Sequence, residues 1–185
     1  MGEQKERMLR GELYLWNDPE LWADYQRAQL LVERFNAISV VDVDARRELL
    51  RDLLGSVGES TEIRPPFRCD YGYQTSVGDR TFVNYGAVFL DVAEIRVGSD
   101  VQIATCVQLL TATHPLDPDT RRAGWESGHP IVIEDGAWLG GGVIVCPGVT
   151  IGENTVVGAG SVVTRDLPAG VLAVGNPCRP VRELA

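Results

Sequence analysis

Residues 131–163 read IVIEDGAWLGGGVIVCPGVTIGENTVVGAGSVV, and an aliphatic falls on every sixth position: Ile133, Leu139, Val145, Ile151, Val157 and Val163. Upstream, the same spacing joins Val77, Val83 and Phe89, and again Val97, Ile103 and Leu109. All twelve positions are apolar; in a chain with 44% hydrophobic residues, chance gives that with a probability of about 5 × 10⁻⁵. Small or turn-competent residues often follow the aliphatic, among them Gly78, Asn84, Gly98, Ala104, Gly140, Gly152 and Gly158. An inward aliphatic every sixth residue suits a coil of three short flat strands, about eighteen residues per turn. Stacked at the strand spacing of about 4.8 Å, four such coils predict a parallel β-helix rising about 20 Å. A narrow prism filled by aliphatics accounts for an aromatic fraction of only 7%.

The first third of the chain has a helical pattern instead. Asp18-Pro19-Glu20 is a helix start, because Asp18 can accept the free amide protons of the first turn and Pro19 has none to leave unsatisfied. Leu21, Tyr25, Ala28, Val32 and Phe35 then form one apolar stripe that Asn36 can close, and Leu49, Leu50, Leu53 and Leu54 form a second ending at Gly55. An earlier short helix through Met8 and Leu9 stops at Gly11. The apolar stretch from Gly11 to Trp16 has no helical period; Tyr14 and Trp16 there either stack on a sugar or pack the helices onto the next domain. The chain thus divides into a helical segment over 1–58, a β-helix over 59–165 with a loop inserted at about 114–130, and a C-terminal tail over 166–185.

Charge narrows the function. Seventeen basic against 26 acidic residues leave a net charge of −9, which argues against a nucleic-acid binder needing a basic face. No apolar run reaches the roughly 20 residues of a membrane helix, and residues 1–10 are charged rather than signal-like, so a cytoplasmic protein is expected. Cys69, Cys106, Cys146 and Cys178 lie far apart with no CxxC, so buried structural thiols are expected. With two histidines in the chain, a three-histidine site cannot form from it, and no metal is expected.

The period breaks by two residues between Phe89 and Val97, and by a long excursion from about His114 to Pro130. A loop of that length in a compact solenoid is usually functional. His114 stands at its mouth, and Pro115 biases it towards extended geometry. Imidazole, with an ordinary pKa of about 6.5, suits a general base at neutral pH. A lone histidine is as readily structural; the loop mouth is what points to catalysis. A carboxylate on its second ring nitrogen would hold the tautomer, and Glu126 is the best-spaced candidate. Asp117 and Asp119 suit solvated or turn positions, and His129 a surface one. Gly140, Gly141 and Gly142 beside Trp138 would let backbone N–H groups approach an oxyanion or acyl group, or else serve a tight coil corner. Arg165, Arg179 and Arg182 gather near the C-terminus, where they could bind phosphate.

These residues resemble the hexapeptide-repeat acetyltransferases, most closely the maltose and galactoside O-acetyltransferases. The resemblance runs through Gly11-Glu12-Leu13-Tyr14 with Asp18-Pro19-Glu20, residues 67–73 (FRCDYGY), 111–115 (TATHP), 138–140 (WLG), 158–161 (GAGS) and 175–179 (GNPCR). It implies a left-handed β-helix, a homotrimer with active sites between subunits, and acetyl transfer from acetyl-coenzyme A to a sugar hydroxyl without an acetyl-enzyme. His114 falls on the family's catalytic histidine and Asn84 on its acceptor-binding asparagine. Asp70 falls where maltose-type members carry aspartate and galactoside-type members serine. The chain departs from the galactoside pattern at two acceptor-side aspartates: Trp16 stands at the first position and Val92 at the second, with Asp91 one residue earlier, so Trp16 and Asp91 are the acceptor-side candidates there. Trp138, Gly141, Ala159, Thr164, Arg165, Arg179 and Arg182 fall on coenzyme-contacting positions. Other acceptors within the family's chemistry are a galactoside, a nodulation-type oligosaccharide, a serine or a xenobiotic; a non-catalytic β-helix scaffold is the rival of a different class.

Overall fold

The computed structural model describes residues 1–184. The period of six folds as a three-faced prism of parallel strands. Ser56–Val57, Thr75–Val77, Ile95–Val97, Ile131–Ile133 and Thr150–Ile151 build the first face. Glu62–Ile63, Phe82–Val83, Gln102–Ile103, Trp138–Leu139 and Val156–Val157 build the second, and Phe67–Cys69, Ala87–Leu90, Gln108–Leu110, Ile144–Val145 and Val162–Val163 the third. Each strand is paired in register with its equivalent in the next coil, as Leu109 is with Phe89 below and Val145 above. Like residues therefore stack inward, and Phe89, Leu109, Val145 and Val163 are all fully buried.

The prism has five complete coils, one more than the spacing predicts. Val57, Ile63 and Cys69 carry the first with the same six-residue step, but a two-residue slip separates Cys69 from Val77 and hides the phase. Its rise is accordingly about 24 Å. A further partial coil follows the fifth: β4 (Val171–Gly175) adds to the second face beside Val156–Val157, and β5 (Cys178–Glu183) folds back antiparallel on it.

The N-terminal segment holds α1 (Glu3–Leu9), β1 (Tyr14–Leu15), α2 (Pro19–Ala37) and α3 (Val43–Leu53). Asp18 caps α2 by accepting from the Glu20 and Leu21 amides. Leu31, Val32 and Phe35 of α2 and Leu49, Leu50 and Leu53 of α3 join the same core as the prism aliphatics. Asn36 does not end α2. It lies inside the helix, and its side chain donates to the Phe67 carbonyl and accepts from the Phe67 amide, both at 2.9 Å, which ties the helix to the prism edge. All four cysteines are free; Cys69 and Cys178 are buried and Cys146 is half-buried, while Cys106 is exposed on a coil corner, so burial is not general to the thiols. None of the described helices is long and apolar enough to cross a membrane.

The long excursion is ordered as a hairpin, with β2 (Ala112–Thr113) antiparallel to β3 (Trp125–Gly128) and the short helix α4 (Pro118–Arg122) at its tip. Asp117 caps α4 through the Thr120 amide at 2.8 Å. The other edge of β3 pairs with β1, so the N-terminal segment and the excursion form one three-stranded sheet.

Candidate active site

Corners of the prism, where the backbone turns between faces, carry the residues of interest. The corner from the third face to the first holds Asp70, Asp91 and the hairpin, one above the other in successive coils. Here α2 and the residues after β1 lie over the prism and enclose a cavity of about 400 Å³. His114, Glu126, Asp70 and Trp16 all line it, together with Leu90 and Val92. Glu126 Oε2 lies 3.9 Å from Nδ1 of His114, with the imidazole half-exposed and the carboxylate only 15% exposed. That spacing is too long for a hydrogen bond, and the contact is ionic only when the imidazole carries a proton. The other oxygen of Glu126 accepts from the Tyr14 hydroxyl.

Asp70 differs from the carboxylates around it in having no side-chain partner among the described residues. Burial and the charge of Glu126 push its carboxyl up to about 6. Asp91 is not part of the cavity wall. It is fully buried, and it accepts from the Asp70 amide at 3.0 Å, the Tyr71 amide at 2.9 Å and the Thr75 hydroxyl at 3.1 Å. Burial, with the Asp70 charge adding to it, pushes that carboxyl up to about 7 against these donors. A carboxylate spent on two amides and a hydroxyl holds the turn that presents Asp70, whereas its neighbour Val92 reaches the cavity.

Sequence reasoning passed over the aromatic wall. Trp22 and Tyr25 of α2 stack at 5.4 Å between ring centroids and 22° between planes, and both line the cavity with Tyr71. Trp22 lies off the buried stripe of its helix and is 50% exposed; a tryptophan on the polar side of an amphipathic helix was the available signal. Tyr14, in contrast, is fully buried and packs with Met8, Leu21, Tyr71 and Val92.

The remaining predicted residues lie elsewhere. Asn84 and Trp138 meet in a smaller depression of about 180 Å³ beside the corner between the second and third faces. Thr105, Gly141 and Ala159 follow along this corner in the next three coils. The Gly140 and Gly142 amides donate to the Val157 and Thr105 carbonyls, while the Gly141 N–H has no backbone partner among the described residues. Gly140 is required by close approach: a Cβ there would lie 2.5 Å from the Ala159 nitrogen. Thr164 and Arg165 are exposed at the corner that carries His114, two coils further along, and Arg179 and Arg182 are exposed on β5. The third face, about 10 Å wide at three residues, separates the Asn84 corner from the His114 corner within one chain.

Residues 7–58 match the maltose acetyltransferase hexapeptide capping motif, and residues 130–165 match six repeats of the bacterial transferase hexapeptide. The galactoside O-acetyltransferase of Lactococcus lactis is 40% identical over 98% of this chain and 88% of its own length. Among solved structures, a maltose O-acetyltransferase from Clostridium difficile superposes with a TM-score of 0.97 at 45% identity, covering 98% of this chain and 97% of that one. A hexapeptide-repeat acetyltransferase from Vibrio cholerae, solved with acetyl-coenzyme A, gives 0.92 at 40% identity over the full length of both. With a β-solenoid behind an N-terminal helical segment and relatives of this similarity over nearly the whole chain, the chain belongs to the hexapeptide-repeat acetyltransferases, in the group of the maltose and galactoside O-acetyltransferases. It is an acetyltransferase.

Proposed function

We propose that the protein transfers an acetyl group from acetyl-coenzyme A to a hydroxyl of a maltose- or glucose-type sugar, working in the cytoplasm as a homotrimer with its sites between subunits. The cavity carries this reading: a half-exposed imidazole stands beside two carboxylates, opposite a stacked indole and phenol that suit the apolar face of a sugar ring. A sugar hydroxyl is too weakly acidic to attack a thioester unaided. His114 takes its proton as the oxygen attacks and returns that proton to the leaving thiolate. Glu126, within ionic reach of Nδ1, stabilises the imidazolium between the two transfers. Asp70 and Trp16 hold the acceptor, Asp70 through its unpaired oxygens.

On the donor side, Trp138, Gly141, Ala159, Thr164, Arg165, Arg179 and Arg182 are the coenzyme contacts. The free N–H of Gly141 meets the charge that develops on the acetyl oxygen, a contribution of about 3 kcal/mol in other oxyanion holes. Support for a shared site comes from the width of the third face, which keeps Asn84 and Gly141 away from His114 in one chain. Setting this corner of one copy against the cavity of the next brings the two halves together.

Incubation with acetyl-coenzyme A and maltose, glucose, galactosides or chitin oligomers, with free thiol followed as product, tests the reading. Release with maltose or glucose is expected. His114→Ala should lower kcat by about 10³-fold with little change in coenzyme affinity; near-wild-type turnover removes the histidine from this role. Coenzyme binding without thiol release to any acceptor would favour a binding scaffold.

A further inference from the structure

Tyr14 stands in β1, directly across from Glu126 of β3 in the antiparallel register. It is fully buried, and a buried phenol needs a partner for its hydroxyl. That partner is Glu126 Oε1, while Oε2 of the same carboxylate faces His114. The strand is fastened independently of this contact: the Leu15 amide donates to Gln4 at 2.8 Å, and the Arg7 guanidinium donates to the Leu13 carbonyl at 2.6 Å and lies over the Trp125 ring. Glu126 also faces the charge of Asp70. A carboxylate so placed lowers its energy by turning to solvent unless something holds it. Burial, and then Glu126 itself, keep the Tyr14 phenol far above its ordinary range, so it remains a donor at every working pH.

We infer that Tyr14 is a positioning residue for the transfer reaction: its hydroxyl pins one oxygen of Glu126 so that the other is presented to Nδ1 of His114. The N-terminal segment thereby acts on the base as well as on the acceptor, and Tyr14 itself touches neither substrate. This inference rests on the reading of His114 as the base.

Tyr14→Phe removes the hydroxyl and keeps the ring, and Tyr14→Met is a second hydroxyl-free filler. Each is compared with Glu126→Gln and with the double variant, alongside thermal melts. In Tyr14→Phe, kcat should fall about tenfold or more with the KM for acetyl-coenzyme A within about twofold. The double variant should be no slower than Glu126→Gln alone, because the hydroxyl acts only through that carboxylate. In proton NMR the ring signals of His114 should shift in Tyr14→Phe while those of His129, the chain's other histidine, stay put. Wild-type turnover in a folded Tyr14→Phe, or losses that multiply in the double variant, would overturn the inference. So would failure of both single Tyr14 variants to fold, which would make the residue a packing element. His114→Ala at wild-type turnover defeats the base reading instead; an inactive His114→Ala beside a fully active Tyr14→Phe defeats only the positioning role.

Discussion

Asp70 lies near two other carboxylates, Glu126 across the cavity and Asp91 in the next coil, and its side chain meets no donor among the described residues. A carboxyl raised from about 4 in the unfolded chain to about 6 in the folded one binds its proton more tightly when folded. The cost of ionising it is absent below about pH 4, grows between pH 4 and 6, and is complete above pH 6. Asp70→Asn should therefore be more stable to urea than the wild type at pH 7, by about 3 kcal/mol, and the gap should close near pH 4. The same variant should raise the KM for the sugar, since the strained carboxylate is the one left free for it. An equal gap at both pH values would show that Asp70 is not held in this state. At this scale the sequence anticipated that Glu126 would lie beside His114, because their positions at the mouth and the return of the excursion limit what each side chain can reach. It was uninformative for Asp91, whose neighbour Val92 faces the cavity; a one-residue difference on a turn reverses which side chain points inward.

Among the elements, the coils were legible because each repeats one constraint, an aliphatic pointing to a narrow core. The first coil is harder to read because a two-residue slip between Cys69 and Val77 puts it out of phase with the coils that follow. Close stacking of coils also makes a prediction. Gly140 sits against the Ala159 backbone, which cannot swing aside as a flexible side chain can. Gly140→Ala should destabilise by about 1 to 3 kcal/mol in denaturant titration. Gly142→Ala meets open space and carries only the cost of its positive φ of 69°. Equal stability for wild type and Gly140→Ala would mean the coils can separate there. The pairing of β1 with β3 was not legible at all, since residues 14 and 126 share no period and are joined only when α2 folds back over the prism.

For the molecule as a whole, the two corners that flank the third face define an experiment. If each site takes His114 from one subunit and Asn84 from the next, His114→Ala and Asn84→Ala chains are each nearly inactive alone. Refolded together in equal amounts, they should recover about a quarter of wild-type activity, the fraction of sites that receive both intact residues. Sedimentation of the mixture should give a single trimeric species. An active monomer, or no recovery from a trimer, would refute the shared site. The sequence by itself determined the prism and the helical segment, because these follow from periodicity and local capping, and its motifs carried the resemblance that pointed to the family. It also singled out His114, Glu126 and Asp70. Only the tertiary structure decided that these three share a cavity with Trp16, Trp22 and Tyr25, that Asp91 is spent on the backbone, and that Tyr14 reaches Glu126. Those relations depend on which corner of which coil a residue occupies and on what folds over it, and the chain fixes that only when distant segments pack.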